Sequence, residues 1–379
     1  MLLEPVQRVK DTDHHVTPAA TPRAPVPLQL RSNTPPSPPL PPPEVWLIVL
    51  NWNGKDDTLR CLASLRQLTY PNFRVCVVDN GSSDDSVEVI SSCFPEVKLI
   101  PVGRNLGYAG GNNVGMKSAI EHGASYVLVL NNDTVVAQDM LEWLVDAAVT
   151  SAHVGAVGAK IYYMDRPNVI WSAGSRWQND IRRFVLSGYE SLDLEPGSTD
   201  ITETDYACGC AFLAHVSVLA RVGLFDEAYF LNFEESDWCA RARRMGLRMY
   251  LASGAKLWHR GSASFGGGES PLHAYFMTRN RLLWIERHIG LRAALAELWT
   301  EIRWLLNVIG REMRFVGDGE SATFRSAYWR LRSLPRRFGY QFSNPHFRVK
   351  VLALRDYVTR RFGDCPEGVR MLRKRSGDA

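Results

Sequence analysis

Several features that would assign this sequence to a class at once are missing from it. No run of about 18 apolar residues occurs, and we therefore expect no transmembrane helix. The first residues lack the basic-then-apolar pattern of a signal peptide. No Cys-x-x-Cys pair is present to predict a zinc site, and no glycine-rich segment matches Gly-x-Gly-x-x-Gly, which disfavours a dinucleotide-binding fingerprint.

Cysteine and net charge are both low. The seven cysteines are odd in number and dispersed, several of them among apolar residues. This usage indicates buried thiols in a reducing compartment, so we expect a cytoplasmic protein. The net charge is only +4 at pH 7, and no RNP-like or zinc pattern is present, so we expect no nucleic-acid partner.

The charge is unevenly distributed along the chain. Residues 321–379 hold 14 Lys/Arg and 4 Asp/Glu, a balance of +10, which leaves −6 for the other residues because the whole chain carries +4. Such a basic segment predicts contact with an anionic surface, such as phospholipid or a lipid-linked phosphate, and hence a peripheral position at the cytoplasmic face of the inner membrane. A basic segment that is merely solvated is the alternative.

The ends of the chain differ from its middle. Residues 1–43 contain 12 of the 21 prolines and predict a disordered or extended tail, with docking to a proline-reading partner as an alternative. Residues 281–379 predict a helical, basic C-terminal region. Within it, the apolar but charge-interrupted stretch 282–310 is typical of a packed helix pair or of an interfacial amphipathic helix.

Residues 44–280 alternate between short apolar runs and helical patterns. The runs are rich in β-branched residues and bounded by turn residues, so they predict buried strands at 45–52, 73–79, 97–102 and 126–131. This alternation predicts an α/β domain, Rossmann-like, with a mostly parallel sheet flanked by helices. Mixed sheet and loop are expected at about 155–265.

Polar residues collect where these predicted strands end: Asn51 and Asn53 after the first, Asp79 at the second, Asn105 after the third and Asp133 after the fourth. Because ligands bind at the carboxyl ends of strands in open parallel sheets, we expect a site at this edge. One such residue alone would be an ordinary turn signal, but four strands that each end in Asn or Asp form a pattern.

Individual residues at this edge suggest particular contacts. Asp79 can accept hydrogen bonds from a base or from ribose hydroxyls, with a turn or helix cap as the alternative. Asp133, in Asn-Asn-Asp-Thr, can bind Mg²⁺ or Mn²⁺ together with phosphate oxygens, although the same segment also suits a turn. The glycine-rich residues 105–115 open a predicted helix near 111–122 and would allow close backbone approach to a phosphate or sugar.

An acidic cluster lies farther along the chain, at Glu234, Glu235 and Asp237. Carboxylates are favoured at a helix N-terminus, and that alone would explain them. In the functional interpretation, one of them is a general base that deprotonates an attacking hydroxyl. His259 follows an apolar strand-like segment and can be a metal ligand through a ring nitrogen, or a structural histidine.

The order of these segments resembles family 2 glycosyltransferases of the GT-A fold, particularly their bacterial rhamnosyltransferase-like branch. The resemblance runs from Val45 to about Asn280, and several segments in the same order make it specific. The segments that carry it are VWLIVLNWNG, VVDNGSSDDS, NLGYAGGNNVGM, VLVLNNDT, GLFDEAYFLNFEESDWCARARRMG, LWHRGSAS and YFMTRNRL.

The resemblance implies roles for the donor side of the site. Asn51, Trp52 and Asn53 would line a nucleotide pocket, and Asp79 would contact the base or ribose. We also expect substrate or nucleotide contacts from Asn105, Gly111, Asn113, Glu234 and Arg279, of which Arg279 matches a family position.

The resemblance also implies a metal and a base. Asn131 and Asp133 stand where the family has its DxD motif, with Asp133 as the metal ligand, and His259 stands where some members have a metal-binding histidine. Glu235 stands in the place of the catalytic base, with Asp237 as a supporting acid. Two positions depart from the pattern, because Asn131 replaces an acid and Glu235 is one methylene longer than the expected Asp.

These implications predict an inverting glycosyltransferase with a divalent metal cofactor. The donor would be a nucleotide diphosphate sugar, dTDP-L-rhamnose first and a UDP-sugar second, and the acceptor a cell-surface glycan or lipid-linked saccharide. Two alternatives stay open. A sugar-nucleotide pyrophosphorylase should carry an Arg- and Lys-containing glycine loop after its first strand, where this chain has NWNGKDD, and an inactive nucleotide-sugar-binding protein should have lost its acids.

Overall fold

A computed structural model describes residues 41–261, 270–311, 339 and 341–374. The proline-rich tail up to residue 40 and much of the basic segment 321–379 lie outside the described residues. The strands are β1 (Val45–Asn51), β2 (Phe73–Asp79), β3 (Lys98–Pro101), β4 (Tyr126–Asn131), β5 (Thr134–Val136), β6 (Val154–Tyr163), β7 (Ile170–Ser172), β8 (Ser175–Gln178), β9 (Arg183–Leu186), β10 (Ile201–Thr204), β11 (Ala211–His215) and β12 (Arg248–His259).

Helices separate the strands of the first half and dominate the end of the chain. The helices are α1 (Lys55–Leu65), α2 (Ser86–Cys93), α3 (Gly107–Glu121), α4 (Met140–Ala148), α5 (Val216–Val222), α6 (Glu234–Arg244), α7 (Pro271–His288), α8 (Leu291–Arg311), α9 (Pro345–Val358) and α10 (Glu367–Lys374). The predicted strands and helices of the first 131 residues are therefore present, with ends that shift by a few residues.

One large mixed sheet runs in the order β10-β12-β6-β11-β4-β1-β2-β3. Strands β4, β1, β2 and β3 are parallel, β11 lies antiparallel between β4 and β6, and β12 pairs with β6 in parallel. The short strand β5 adds to the end of β12 in antiparallel fashion. This is the predicted α/β fold, with its parallel half built from the four strands that the sequence predicted.

The sheet is covered on both faces, as β1 shows. Its side chains alternate between two cores: Val45, Leu47 and Val49 pack on one side, and Trp46 and Ile48 on the other. All five are at most 2% exposed. Full burial of such side chains stabilises the fold by roughly 1.5–3 kcal/mol each. Strand β1 is therefore held firmly in the sheet, and so is its last residue, Asn51.

Helix α3 corrects one prediction. It begins at Gly107, inside the glycine-rich segment, rather than near residue 111. A Cβ on Gly111 would lie 2.4 Å from Leu50, and one on Gly115 would lie 2.2 Å from Ile48. The glycines therefore let α3 pack closely on β1, and Gly111 has this packing role in place of the predicted contact with substrate.

The C-terminal helices form a layer of their own. Stretch 282–310 consists of the end of α7 and most of α8, joined at Gly290, so the predicted helix pair is present. No helix in the described ranges is long and apolar enough to cross a membrane. The predicted domain boundary after residue 280 falls inside α7 and stays a prediction.

Candidate active site

The ends of β1 and β2 carry a compact polar cluster, which we call the Asp79 network (Asn51, Asn53, Asp79 and Ser82). The sheet register places Asn51 beside Asp79, and the Asn51 amide donates to the Asp79 carboxylate at 2.8 Å. The Ser82 amide and hydroxyl donate to the same carboxylate at 3.0 and 2.5 Å. The Ser82 hydroxyl in turn accepts from the Asn53 backbone amide at 2.9 Å.

The Asp79 network joins two turns into one wall of the site. Asp79 is 2% exposed, while Trp52 is half-buried and Asn53 is exposed at the rim. The Asn53 side chain accepts from the Ser83 backbone amide at 2.7 Å, which fixes the turn after β2 against the turn after β1. The predicted nucleotide-binding residues of these two strands are therefore adjacent in space.

Asp133 and His259 form a second cluster at the same sheet edge. Strand β5 places Thr134 opposite His259, the last residue of β12, so the preceding Asp133 reaches the imidazole. The distance from Asp133 Oδ1 to His259 Nε2 is 3.0 Å, and each side chain is 8% exposed. The Arg260 amide also donates to the Asp133 carbonyl at 3.0 Å, which anchors the turn.

This pair fits a divalent cation. Two neighbouring ligands of an octahedral ion with bonds of about 2.0–2.1 Å lie roughly 3.0 Å apart, as these two atoms do. Asn131 Oδ1 is buried and has no hydrogen-bond partner among the described residues. Within the described ranges, no group of three or more His, Cys, Asp or Glu side chains forms a metal site. Two protein ligands suit Mg²⁺ or Mn²⁺, which fill their shells with phosphate oxygens and water.

The third cluster lies at the start of α6. Glu235 Oε1 accepts from the Gly209 amide at 3.4 Å. The Oε2 atoms of Glu234 and Glu235 are buried and have no hydrogen-bond partner among the described residues. A Cβ at residue 209 would lie 2.8 Å from the Tyr108 hydroxyl and 3.3 Å from Glu235 Oε1, so a side chain there would displace these two groups.

Burial controls the protonation of these acids. Desolvation raises the pKa of Glu235 above its ordinary value. Desolvation and the neighbouring charge of Glu235 raise the pKa of Glu234 well above its ordinary value. A carboxylate with a raised pKa holds a proton more firmly, which suits a general base that works near neutral pH.

Cys210 connects the second and third clusters. Its thiol lies 3.4 Å from the Asn131 side-chain amide, which donates to it. A hydrogen bond with Cys208 and burial raise the pKa of Cys210 well above its ordinary value, and the charges of Asp133 and Glu235 raise it further. Gly209, which precedes Cys210, donates to Glu235, and Cys210 contacts Asn131, two residues before Asp133, so this turn places Glu235 and the Asp133–His259 pair at a common site.

Sequence reasoning missed the turn that builds this junction. Tyr108 donates its hydroxyl to the Gly209 carbonyl at 2.7 Å, and Gly209 donates to Glu235. The only signal in the sequence is the pair of cysteines around a glycine at 208–210, which resembles an ordinary turn before a strand. Their role becomes visible only when β11 lies beside β4.

The backbone before Glu234 is held in an unusual conformation. Phe230, Asn232 and Phe233 have φ angles of 63°, 67° and 78°, in the left-handed region that non-glycine residues seldom occupy. We call residues 229–235 the Glu235 segment. Conformations of this kind cost on the order of 1–3 kcal/mol each and persist only where the surroundings impose them.

Asn280 of α7 imposes the conformation of the Glu235 segment. Its side-chain amide donates to the carbonyl oxygens of Tyr229, Leu231 and Asn232, at 2.7, 2.8 and 2.9 Å. Asn280 is fully buried. Its own amide oxygen accepts from Arg279 Nε at 3.0 Å, which orients the amide toward the segment.

Arg279 supports the same segment rather than a ligand. Its side chain is fully buried, and its guanidinium donates to the Tyr229 carbonyl at 3.2 Å and to the Ala228 carbonyl at 3.4 Å. No part of the side chain is exposed to a substrate. The geometry therefore gives Arg279 a structural role in place of the predicted substrate contact.

Asp237 also has a structural role in place of the predicted catalytic one. It is 2% exposed and accepts hydrogen bonds from Tyr229, Arg241 and His288 at 3.1, 2.8 and 2.8 Å. Burial alone would raise the pKa of Asp237, but His288 and Arg241 outweigh it and hold that pKa below its ordinary value. An acid so fully paired braces α6 against α7.

Two asparagines of the glycine-rich segment are likewise engaged by the protein. Asn113 is 3% exposed, donates to the Phe225 carbonyl at 2.9 Å and accepts from the Phe225 amide at 3.0 Å, so it braces the chain instead of meeting a ligand. Asn105 is only partly buried, and its side chain accepts from the Gly107 amide at 2.7 Å. Asn105 shapes the turn into α3, and its predicted ligand contact stays a prediction.

A hollow of about 210 Å³ adjoins α6 on the side of Ser236. Trp177, Phe184 and Trp284 line it, with ring centroids 4.4 to 5.1 Å apart. Tyr206 packs edge-on against Phe184 at 5.0 Å. Burial and the charges of Cys208 and Glu235 raise the pKa of Tyr206 well above its ordinary value.

Comparison with known proteins agrees with this geometry. Residues 46–221 match the family model "Glycosyl transferase family 2". The chain is 28% identical over 253 residues to an N-acetylglucosaminyl-diphospho-decaprenol L-rhamnosyltransferase of Mycobacterium tuberculosis, covering 61% of this chain and 80% of the relative. It is 22% identical over 266 residues to the dTDP-rhamnosyl transferase RfbF of Shigella flexneri, covering 67% and 84%.

A galactofuranosyltransferase of Mycobacterium tuberculosis, GlfT1, is also similar, at 25% identity over 309 residues that cover 77% of this chain and 95% of the relative. The α/β fold and these matches define the protein as a glycosyltransferase of the GT-A fold. The resemblance to family 2 glycosyltransferases that the sequence predicts is confirmed over residues 46–221. The matched region contains Asp79 and Asp133 and ends before Glu235 and His259.

Proposed function

We propose that this protein is an inverting, metal-dependent transferase. It moves a sugar from a nucleotide diphosphate sugar to a hydroxyl of a cell-surface glycan or lipid-linked saccharide. The observation that carries the proposal is the meeting of three clusters at one sheet edge: the Asp79 network, the Asp133–His259 pair and the unpartnered carboxylate of Glu235.

The donor side binds and orients the nucleotide. The buried pair of Asn51 and Asp79, joined by a hydrogen bond, holds the two turns in place, and Trp52 and Asn53 lie at the rim where the base or ribose would bind. Asp133 and His259 would hold the metal, which when bound neutralises charge on the leaving diphosphate. Asn131, with its free buried oxygen, completes this rim beside the pair.

The acceptor side supplies the base. Glu235 takes the proton of the acceptor hydroxyl while that oxygen forms its bond to the anomeric carbon, and the bond from that carbon to the diphosphate oxygen breaks. One direct displacement of this kind inverts the anomeric centre. The raised pKa of Glu235 and its unpartnered Oε2 favour proton uptake at this carboxylate.

The aromatic hollow is the proposed binding site of the acceptor. Its three rings offer flat apolar faces, and Ser236, which lines it, follows Glu235 directly on α6. Pockets that combine aromatic walls with a few polar groups are typical of ligand sites. An acceptor sugar in the hollow would lie beside Tyr206 and close to the proposed base.

We propose dTDP-L-rhamnose as the donor, with UDP-sugars as the second candidate. Two similar proteins are named as rhamnosyltransferases, which supports this choice. The pyrophosphorylase alternative has less support. Lys55, the lysine after β1, forms an ion pair with Asp85 at 2.6 Å, so an acid of the protein already occupies the charge that a phosphate-binding lysine would offer.

A donor panel tests this proposal. The melting temperature of the native protein should rise with one nucleotide diphosphate sugar, and the rise should require Mn²⁺ or Mg²⁺. Asp133→Asn should lose the metal-dependent part of the rise but keep the part that nucleotide contacts alone produce, because it removes only the charged ligand. A native protein that shows no shift with any donor, with or without metal, would contradict the proposal.

A further inference from the structure

Helix α8 packs Ala294, Leu298, Ile302 and Leu305 against the core, but it differs from an ordinary surface helix in two respects. Its only carboxylates, Glu297 and Glu301, are 7% and 6% exposed, whereas several of its largest apolar side chains are in solvent. A surface helix of a globular protein normally directs its apolar stripe inward and its charges outward. The burial of both acids and the exposure of these apolar side chains therefore need an explanation.

The buried glutamates are neutralised by cations from other elements. Glu297 lies 2.8 Å from Arg281 and 3.4 Å from Arg182, and Glu301 lies 2.7 Å from Lys350. Burial alone would raise the pKa of Glu301, but Lys350 and Arg281 hold it below its ordinary value. Desolvating ion pairs is costly, so packing stability alone does not explain why α8 places its acids inside.

The outward face of α8 carries a continuous apolar stripe. Leu291, Leu295, Trp299 and Leu306 are 59%, 52%, 56% and 55% exposed. Their spacing of four, four and seven residues places them on one side of the helix. At about 1.5 Å per residue the stripe extends over roughly 22 Å. An exposed apolar surface of this extent indicates a binding surface.

The charge on this face has a single sign. Arg292 and Arg303 are exposed among the apolar side chains, and no carboxylate in the described part of the chain forms an ion pair with either. Because both glutamates of α8 point inward, no acid of α8 lies on the outward face. The occupant of this face must therefore accept apolar side chains and offer negative charge.

We propose that the outward face of α8 docks on the surface of a bilayer that contains anionic phospholipids. Leu291, Leu295 and Leu306 would enter the boundary of the acyl chains, Trp299 would lie at the headgroup level, and the two arginines would meet lipid phosphates. This inference does not depend on the transfer reaction, since it concerns a surface outside the site.

A second copy of the chain fits this face less well. In a twofold dimer the same patch meets itself, so Arg292 and Arg303 would face their own counterparts with no acid from α8 between them. Anionic lipid supplies the missing charge, and each arginine near such a surface strengthens binding about fivefold.

Vesicle co-sedimentation of the full chain tests the proposal. The native protein should bind vesicles of phosphatidylcholine with about a third phosphatidylglycerol, and bind pure phosphatidylcholine more weakly. The double variant Leu295→Glu with Trp299→Glu should lose binding by on the order of tenfold or more, because it places carboxylates in the stripe. The basic residues 321–379 are the same in both proteins, so the difference isolates α8.

The matched control is Leu192→Glu with Leu194→Glu. These leucines are 64% and 88% exposed and lie outside α8, and the charge change is identical, so vesicle binding should stay close to native. Thermal melting shows whether each variant is folded. Equal binding by the α8 variant and the native protein, or no native binding to either vesicle, would overturn the proposal. So would a native dimer that the α8 variant abolishes while vesicle binding persists.

Discussion

The Asp79 network and the Glu235 segment lie at one site but are built in opposite ways. In the Asp79 network, regular strand ends place donors against one carboxylate, and Asp79 is fully hydrogen-bonded. Its only residue with a positive φ is an asparagine, Asn53, which tolerates that conformation. In the Glu235 segment, two phenylalanines adopt positive φ and two buried carboxylate oxygens have no partner among the described residues.

This difference shows which part of the site is strained and which part is fully hydrogen-bonded before a ligand binds. A network whose polar groups are already hydrogen-bonded can bind and orient a ligand without rearranging. A strained segment with desolvated acids is less stable than it would be if relaxed, and it persists because Asn280 holds it. Unpartnered groups of that kind become favourable only when a ligand or a transferred proton reaches them.

The largest expected effect comes from Glu235→Gln. If Glu235 is the base, kcat should fall by roughly 10²–10⁴-fold while the donor-induced shift in melting temperature is kept. Asp79→Asn should behave in the opposite way, with weaker donor binding and a smaller loss of kcat. Retention of more than about a tenth of the native rate in Glu235→Gln would remove the proposed distinction between the two regions.

The native rate should also depend on pH in a defined direction. Because burial raises the pKa of Glu235, the carboxylate becomes protonated at a higher pH than an ordinary glutamate, whose pKa is about 4.3. A protonated Glu235 cannot accept the acceptor's proton, so kcat/KM should rise with pH through this raised pKa. An acid limb at the ordinary glutamate value would argue against Glu235 as the base.

The next effect comes from Asn280→Ala, which releases the strained segment. It removes the donor to three backbone carbonyls, so stability should fall by about 1–3 kcal/mol and kcat by on the order of 10- to 100-fold. Donor binding at the Asp79 network should change little, which calorimetric titration with the donor can measure. A variant that loses stability but keeps its kcat would show that the segment needs no clamp for catalysis.

The smallest expected effect is a gain of stability in Glu234→Gln. Because the pKa of Glu234 is raised in the folded protein, Glu234 stays protonated at pH values at which the unfolded chain has lost that proton. The free energy of unfolding of the native protein therefore falls as the pH rises from about 4.3 through the raised pKa. The variant should therefore be more stable than the native protein at pH 8, by on the order of 1–2 kcal/mol, and similar to it at pH 4. Exposed Glu121→Gln is the control and should show no such pH dependence.

Local patterns predicted the parallel half of the fold well. Strand β2 has the predicted ends, and β1 and β4 differ from their predicted ends by at most one residue, because apolar β-branched runs bounded by turn residues are local signals. The start of α3 was wrong because glycine is a poor helix former in isolation. Close packing of Gly111 and Gly115 on β1 outweighs that preference.

The site was less predictable than the fold. Asp79, Asp133, His259 and Glu235 were named from the sequence, and the structure brings them to one edge. Arg279 and Asp237 could not be separated from substrate-binding residues beforehand, because burial and ion pairing depend on α7 and α6 packing together. Gly209 and Cys210 gave no usable signal at all.

The sequence by itself determined the α/β order of elements, the polar residues that end or follow the parallel strands, and the resemblance to family 2 glycosyltransferases, because each depends on short stretches of chain. Only the tertiary structure decided which polar residues face a ligand and which brace the fold. Pairing of β5 with β12 joins Asp133 to His259, and α7 bends the backbone before Glu235. Contacts between distant segments carry no local pattern, since their free energy arises only when the sheet and its helices have packed.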